Sequence, residues 1–175
     1  MTIADILKII KDRRSIRKFQ KKEIPTELVE KIKEALIWAP SAGNLQARKF
    51  YFVFNQEIKD KLNQATFSKR GFLNSAPLII VGCADSEKIA SYSERGKTLY
   101  IINDVSVSIQ NAMLMAQEAG LGSCWVGAFE ETEVSKILNL PQNLRPIVLL
   151  PVGYPAENPL PPERATKEEA VEERR

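Results

Sequence analysis

A run of six residues from Leu78 to Cys83 contains no polar side chain, and it constrains the fold more than any other feature of this sequence. Such a run is typical of a central β-strand covered on both faces, because a strand with one solvent-exposed face alternates apolar and polar residues. The helix predicted over 97–119 suits one covering layer, since its polar residues are mainly Ser, Asn and Gln rather than Lys and Glu. A helix without a fully charged face is usually buried on more than one side. We therefore expect it to pack against its own sheet and against a second subunit.

The remaining sequence predicts further helices and strands. In chain order, the predicted elements are helices at 2–12, 25–39, 57–66, 97–119 and 131–138, and strands at 50–54, 78–83, 124–126 and 147–152. Pro151 interrupts the last strand, which suggests an edge position there. The pattern predicts a single α+β domain over 1–175, with residues 154–175 as a C-terminal arm. No GxGxxG or Walker motif is present, so the usual dinucleotide and nucleoside triphosphate folds are not indicated.

The amino-acid composition limits the catalytic and metal-binding chemistry that this chain can perform. The chain has no histidine, which excludes Ser-His-Asp and Cys-His catalysis and histidine-ligated metals. An enzyme of this composition therefore relies on a cofactor for the difficult step. Cys83 and Cys124 have no metal-ligand spacing and are predicted to be buried thiols rather than a disulfide. The N-terminal residues do not resemble a signal peptide, and no segment is apolar enough for a lipid-facing span. We expect a cytoplasmic protein with no membrane partner and no bound metal.

Between Lys11 and Lys22 the sequence has seven basic residues and one acid. Within this block, the motif RRSIR at residues 13–17 places three arginines and a serine just after the first predicted helix. Guanidinium forks and a hydroxyl are suited to a phosphate dianion, but for so short a motif on its own a solvated basic turn is the more common explanation. Nucleic-acid binding is less favoured, because only Phe19 lies in the block to stack on bases.

The loop PSAGNLQ at residues 40–46 is a second candidate site. Its small residues let a planar ligand approach the backbone closely. The amide side chains of Asn44 and Gln46 each offer an acceptor and two donor hydrogens, so either can bind the edge of a heterocycle. An ordinary helix-to-strand loop is the alternative interpretation.

The segment GLGSCWVGAF at residues 120–129 is a third candidate. The small pair Gly127 and Ala128, at the end of a predicted strand, could expose backbone N–H groups to a ligand. Trp125 and Phe129 could form the walls of an aromatic pocket. The alternative is a buried tryptophan beside a tight turn.

Taken together and in this order, these motifs resemble those of the nitroreductase family of FMN-dependent oxidoreductases. The resemblance runs from about Leu7 to the arm near Glu169 and includes RRSIRKF (13–19), APSAGNLQARKF (39–50), GLGSCWVGAF (120–129), LLPVGYP (149–155) and the late Arg164. Ala47 departs from the proline that many relatives have after the Gln, which affects the stiffness of the loop. The resemblance implies an α+β sandwich with a central, mostly antiparallel sheet flanked by helices. It also implies an intertwined homodimer with two FMN sites at the interface.

The resemblance further implies which residues bind FMN, tightly and without a covalent bond. In chain order, they are Arg13, Arg14, Ser15, Arg17, Pro40, Ser41, Ala42, Asn44, Gln46, Gly127, Ala128 and Arg164. Of these, Arg13, Ser15 and Arg164 match phosphate ligands, with Arg14 nearby. Arg17 matches a cation close to the N1 and O2 edge of the flavin.

The other matching residues correspond to contacts with the flavin ring. Pro40, Ser41, Ala42 and Asn44 match the loop that the partner subunit lays against the flavin, and Gln46 is a weaker match for the ring edge. The pair 127–128 matches backbone donors near flavin N5 and O4. No residue is assigned as a catalytic acid or base.

The implied function is electron transfer from NAD(P)H, through flavin N5, to nitroaromatic, quinone or similar flat acceptors, with ping-pong kinetics. A cation at the N1 and O2 edge stabilises the negative charge that reduction places there and raises the flavin potential. Dehalogenation and flavin fragmentation are alternatives within the family, but they depend on lids, and the lid candidates at 67–74 and 85–96 are short. A non-catalytic protein that binds FMN or nucleic acid is the alternative outside it. No ribose-reading motif distinguishes NADH from NADPH.

Overall fold

A computed structural model of the chain describes residues 3–68 and 71–175 and shows an antiparallel sheet between two layers of helices. The strands are β1 (Arg48–Val53), β2 (Leu78–Asp85), β3 (Gly122–Ser123) and β4 (Leu144–Gly153), in the order β1-β2-β4-β3. The predicted α+β sandwich with a mostly antiparallel sheet is confirmed. The predicted helix start at residue 2 and positions 69–70 of a lid candidate lie outside the described residues.

Helices form before, between and after the strands. They are α1 (Ile3–Asp12), α2 (Thr26–Ile37), α3 (Gln56–Gln64), α4 (Ser93–Arg95), α5 (Ile101–Glu118), α6 (Glu131–Ile137) and α7 (Lys167–Ala170). A π-helical turn at Gly96–Tyr100 joins α4 to α5. None of the helices in the described residues combines the length and the apolar character that crossing a membrane requires.

Every residue of β2 is buried, as the apolar run predicts. Leu78 and Ile80 face α2 and α5 on one side of the sheet. Ile79 and Val81 face α3 and α6 on the other side. Because successive side chains of a strand point to opposite faces, two apolar layers need a strand that is apolar at every position.

The strand predicted at 124–126 is wrong in position, because β3 ends before it and Val126 makes only an isolated bridge to β4. The physical reason is Pro151. Its carbonyl accepts a hydrogen bond from the amide of Cys124 at 3.4 Å, but proline has no N–H to donate in return. The ladder therefore breaks at this point. The edge character predicted at Pro151 is compatible with the sheet, because β3 pairs only with Val152 and Gly153 of β4 and the ladder on this side ends before Pro151.

The outer sides of α1 and α5 expose apolar side chains. On α1, Ile6 is 50% exposed and Ile10 is 48% exposed, and on α5 Val107 is 38% exposed. Trp38, just after α2, is 77% exposed and lines an apolar cavity together with Ile6. Within one chain, α5 is therefore covered by the sheet, by α2 and in part by α1, but its outer side at Val107 is exposed.

The arm begins against the body of the protein and then leaves it. The amide of Ala156 donates to the carbonyl of Lys18 at 2.9 Å. From Leu160 onward every residue is exposed, although the arm forms the short helix α7. Thr166 and Glu169 cap this helix reciprocally.

Candidate functional site

The basic segment 13–17 leaves the end of α1 and runs beside β3. Ser15 pairs with Ser123 in a parallel bridge, and the amide of Ile16 donates to the carbonyl of Ser123 at 3.0 Å. Gly122 makes this approach possible, because a Cβ atom there would lie 2.5 Å from the Ile16 side chain. The edge of the sheet therefore fixes the position of the basic segment.

Arg13 is the innermost cation of this segment. Its Nη1 is buried and has no hydrogen-bond partner among residues 3–68 and 71–175. Burial lowers the pKa of Arg13, and the positive charges of Arg164 and Arg14 lower it further. An arginine remains protonated in spite of such shifts. A buried N–H group without an acceptor, close to two other cations, is suited to an anion.

Arg14 and Arg17 point to other groups. Arg14 turns back to the end of α1, where its Nη1 donates to the carbonyls of Lys11 and Arg13. Arg17 is exposed, and its guanidinium carbon lies 6.0 Å from the centre of the Phe72 ring. Arg17 thus holds a positive charge at the surface, whereas Arg14 stabilises the helix end.

The start of the arm is tied to this segment through Glu157. Its Oε1 accepts hydrogen bonds from the amides of Arg17 at 2.5 Å and Lys18 at 3.1 Å. A cleft of about 790 Å³ opens beside Ser15 and Arg17, and Phe72 forms part of its wall. The segment, the arm and this cleft therefore form one region of the surface.

Cys124 connects the third motif to the same region. Burial raises the pKa of Cys124, while the charge of Arg17 and a hydrogen bond with Ser15 act in the opposite direction. Both cysteines are free and buried, as predicted. The segment 120–129 and the basic segment are therefore in contact, through Cys124 and Ser15.

The pair Gly127 and Ala128 follows at the surface. Both residues are exposed, and neither amide donates a hydrogen bond to another described residue. The prediction of two aromatic walls is half wrong. Phe129 is only 6% exposed and belongs to the core between the sheet and α6, whereas Trp125 is 38% exposed. The pair therefore offers two free N–H groups beside one accessible indole.

The loop 40–46 is held at the N-terminal end of α5. The amide of Ala42 donates to Oδ1 of Asp104 at 2.9 Å, in the first turn of that helix. From Asp104 to Glu118 the helix rises about 21 Å at 1.5 Å per residue. The basic segment lies beyond the far end, beside β3. The structure therefore does not bring the loop and the arginines together along this helix within one chain.

Asn44 and Gln46 occupy exposed positions of the loop, as their predicted role requires. Their side chains make no hydrogen bond to another described residue. Pro40 and Ser41 act through the backbone and the loop itself. The carbonyl of Pro40 accepts from Arg48, and the hydroxyl of Ser41 accepts from the amide of Gln46.

Three residues near this loop were not singled out from the sequence. Arg48 and Asp104 are buried charged residues that bind the loop. The hydroxyl of Tyr92 lies 2.4 Å from the position that a Cβ atom of Gly43 would take. A usable signal existed for Asp104, because it is the lone acid in α5 before the final Glu118.

The chain is similar in sequence to known proteins. The sequence profile of the nitroreductase family matches residues 10–70 and 64–154. A protein of Methanothermobacter thermautotrophicus with the provisional name NADH dehydrogenase/NAD(P)H nitroreductase is 35% identical over 89% of this chain and 80% of its own length. An iodotyrosine deiodinase of Thermotoga neapolitana is 30% identical over 87% of this chain and 89% of its own length.

Solved structures agree with the sequence comparison. The NADPH:FMN oxidoreductase of Vibrio harveyi, solved in complex with NAD+, superposes with a TM-score of 0.89 at 27% identity. The match covers 98% of this chain and 77% of that chain. The matched profile, the 35% identity and the shared fold lead to one conclusion: this chain belongs to the nitroreductase family.

Proposed function

We propose that this protein is a homodimeric oxidoreductase that binds FMN and passes electrons from NAD(P)H to flat acceptors such as nitroaromatics and quinones. The observation that carries the proposal is the buried Nη1 of Arg13, which has no acceptor among the described residues. Ser15 and the charge of Arg164 lie close to it. Relatives that carry the names NAD(P)H nitroreductase and NADPH:FMN oxidoreductase support the choice of cofactor and donor.

The residues present fit FMN at both of its ends. A phosphate would supply the acceptor that Arg13 lacks, with Ser15 and Arg164 as further ligands. Two unpaired amides, at Gly127 and Ala128, would donate to polar atoms of the ring. When bound, FMN supplies the capacity to accept a hydride and to pass electrons on, which no side chain of this chain offers.

The protein's own groups then act by charge and position. Arg17 holds a cation beside the cleft, where it would stabilise negative charge on the ring edge of a bound FMN. No histidine is present to act as an acid, so we assign proton delivery to solvent. Donor and acceptor would use the same cleft in turn, because electron transfer as hydride needs near-contact geometry. This shared use favours ping-pong kinetics.

The position of the loop 40–46 supports the dimer. In a dimer with twofold symmetry, the same surface of both subunits forms the contact. If α5 packs against its copy in antiparallel fashion, the loop at one end meets the arginine segment at the other end. The exposed apolar side chains of Ile6, Ile10 and Val107 provide the apolar surface for such a contact.

The direct test is spectroscopic. The purified protein is titrated with FMN, and the holoenzyme is mixed with NADH or NADPH in a stopped-flow instrument and then with a quinone or a nitroaromatic. We expect FMN uptake, bleaching by at least one nicotinamide, and recovery of the absorbance with the acceptor. A protein that takes up no FMN would contradict the proposal. Uptake without bleaching would leave a flavin-binding protein that is not an oxidoreductase.

Dehalogenation is the second candidate, because the relative from Thermotoga neapolitana is an iodotyrosine deiodinase. The predicted lid at 85–96 is folded into short helical turns, and Tyr92 from this segment packs against Gly43. This cover over the loop is compact, which favours flat acceptors over a substrate that needs enclosure. Turnover of iodotyrosine with release of iodide, at a rate above that with quinones, would reverse the preference.

A further inference from the structure

The loop 40–46 has three residues in the left-handed region, and one of them, Gln46, has a side chain that rarely adopts it. The φ angles of Gly43, Asn44 and Gln46 are 53°, 55° and 51°. Glycine adopts this left-handed region freely and asparagine tolerates it better than most residues, so Gln46 is the unusual member of the three. Such a backbone persists only where surrounding contacts over-determine it. The loop must be held from outside.

Arg48, the first residue of β1, supplies much of this support. It is 7% exposed, and its guanidinium donates to four main-chain carbonyls. The acceptors are the carbonyls of Ile37 at 3.2 Å, Ala39 at 2.5 Å, Pro40 at 2.7 Å and Asp104 at 3.2 Å. One side chain thus joins the end of α2, the beginning of the loop and the first turn of α5.

Asp104 makes a second connection from α5 to the loop. It is 3% exposed, and its Oδ1 accepts the hydrogen bond from the amide of Ala42. Burial lowers the pKa of Arg48, and the charge of Asp104 opposes this effect, so the two buried charges lie within electrostatic reach of each other. Buried charges are expensive to desolvate, and apolar residues would serve packing alone better. Apolar residues cannot, however, bind the carbonyls and the amide that shape the loop.

We propose that Arg48 and Asp104 are positioning residues for the flavin ring. They hold the loop 40–46 in the shape in which Asn44 and Gln46 face the FMN of the second subunit, and they thereby set the affinity for the ring and the flavin potential without touching it. This inference rests on the proposed function, because it requires an FMN in the dimer. It assigns a role to two residues that lie outside the predicted cofactor ligands.

Four variants of the full-length holoenzyme test the inference. D104A removes the acceptor of the Ala42 amide, whereas D104N keeps an oxygen at that place. R48M removes all four donors, whereas R48K keeps the charge but cannot span four acceptors, since an ammonium lacks the guanidinium fork. K59M is the matched control. Lys59 is also buried, at 5% exposed, and donates to two carbonyls, but those carbonyls belong to residues 76 and 77 rather than to the loop.

Each variant is measured for its FMN dissociation constant, its dissociation constant for inorganic phosphate, and its midpoint potential. We expect D104A and R48M to lose FMN affinity by about tenfold or more, as for other misplaced binding groups, and to shift the potential. Their affinity for phosphate should stay at the wild-type value, because Arg13 and Ser15 are untouched. D104N should recover most of the FMN affinity. K59M should lower thermal stability without changing the ratio of the two affinities.

Other results would overturn the inference. Wild-type FMN affinity and potential in folded D104A and R48M would show that the two residues do not position the loop. A parallel loss of FMN and phosphate affinity would show general loosening instead. If both variants fail to fold, R48K decides: faster hydrogen exchange at amides 42–46 with weaker FMN binding supports the role, and unchanged exchange opposes it. A wild-type protein that binds no FMN overturns the proposed function itself.

Discussion

At the scale of single residues, Arg13 and Arg17 have the same side chain in different surroundings. Arg13 is partly buried beside Arg164, and Arg17 is exposed beside Phe72. Arg13→Ala should weaken FMN binding by about 2–3 kcal/mol, the usual contribution of a charge-assisted hydrogen bond, and should leave the potential of the remaining bound flavin nearly unchanged. Arg17→Ala should lower the potential more than the affinity. Fluorescence titration and spectroelectrochemistry measure the two quantities.

Arg145 provides a control for both substitutions. It forms a surface ion pair with Glu131 at 2.7 Å on β4 and α6, away from the basic segment. Arg145→Ala should therefore change neither FMN affinity nor potential. Identical behaviour of the Arg13 and Arg17 variants would show that their roles are wrongly divided.

Cys83 gives a second expectation at this scale. Burial raises its pKa to about 12, so the thiol stays neutral in the folded protein, and unfolding allows it to ionise from pH 9 upward. Its contribution to stability is thus complete below pH 9 and is lost as the pH rises to about 12, by up to about 4 kcal/mol. Denaturant unfolding at pH 7 and pH 10 measures the first part of this loss, about 1.4 kcal/mol. Cys83→Ala should show a smaller decrease in stability over the same interval, and an equal decrease would contradict the assignment.

The sequence predicts the role of a residue well when that role depends on the residue types in a short local motif. Three arginines and a serine within five residues suggest an anion site, and in the described part of the chain the buried Nη1 of Arg13 has no acceptor. The role of Arg48 could not be predicted in this way. Its acceptors come from α2, the loop and α5, and no periodicity shows that these three pieces meet at one side chain.

At the scale of elements, the short strand β3 sets the position of the basic segment 13–17. Gly122 lies against Ile16 so closely that an added methyl group must push the basic segment away. Gly122→Ala should therefore lower the free energy of unfolding by about 1–3 kcal/mol, as overpacking does, and weaken FMN binding in the refolded protein. Chemical denaturation and FMN titration provide the two values.

Gly120→Ala is the matched control for this substitution. Gly120 has a φ of 72° with no atom near its would-be Cβ, so alanine there costs about 1 kcal/mol through the backbone alone. This variant should lose stability but keep its FMN affinity. Loss of affinity in the control alone would show that β3 does not position the basic segment.

The strands also show which parts of the fold sequence patterns are sufficient to predict. The apolar run at Leu78 predicts a strand between two layers because both layers need its side chains. The shift of β3 was not predictable from residues 122–126 themselves. It depends on Pro151, a residue of another strand that cannot donate a hydrogen bond. Local propensity predicts that a segment forms a strand, but where the strand ends depends on the neighbouring strand that pairs with it.

At the scale of the whole molecule, the proposed dimer depends on the outer side of α5. Val107→Asp would place a charge in the apolar contact, and desolvating an unpaired charge is costly. We expect this variant to sediment as a monomer and to retain less FMN. Thr132→Asp, exposed on α6 at the opposite layer, should remain dimeric. A dimer that persists in the Val107 variant with full FMN content would place the contact elsewhere.

The separation of the loop and the arginine segment along α5 has a genetic consequence. If each flavin is bound by the arginines of one polypeptide and the loop of the other, a chain with Arg13→Ala and a chain with Asp104→Ala fail for different reasons. Produced together, they would form mixed pairs in which one pocket receives two intact halves and the other receives two damaged halves. About a quarter of all pockets would then regain the unmodified affinity for flavin, although neither polypeptide reaches it on its own.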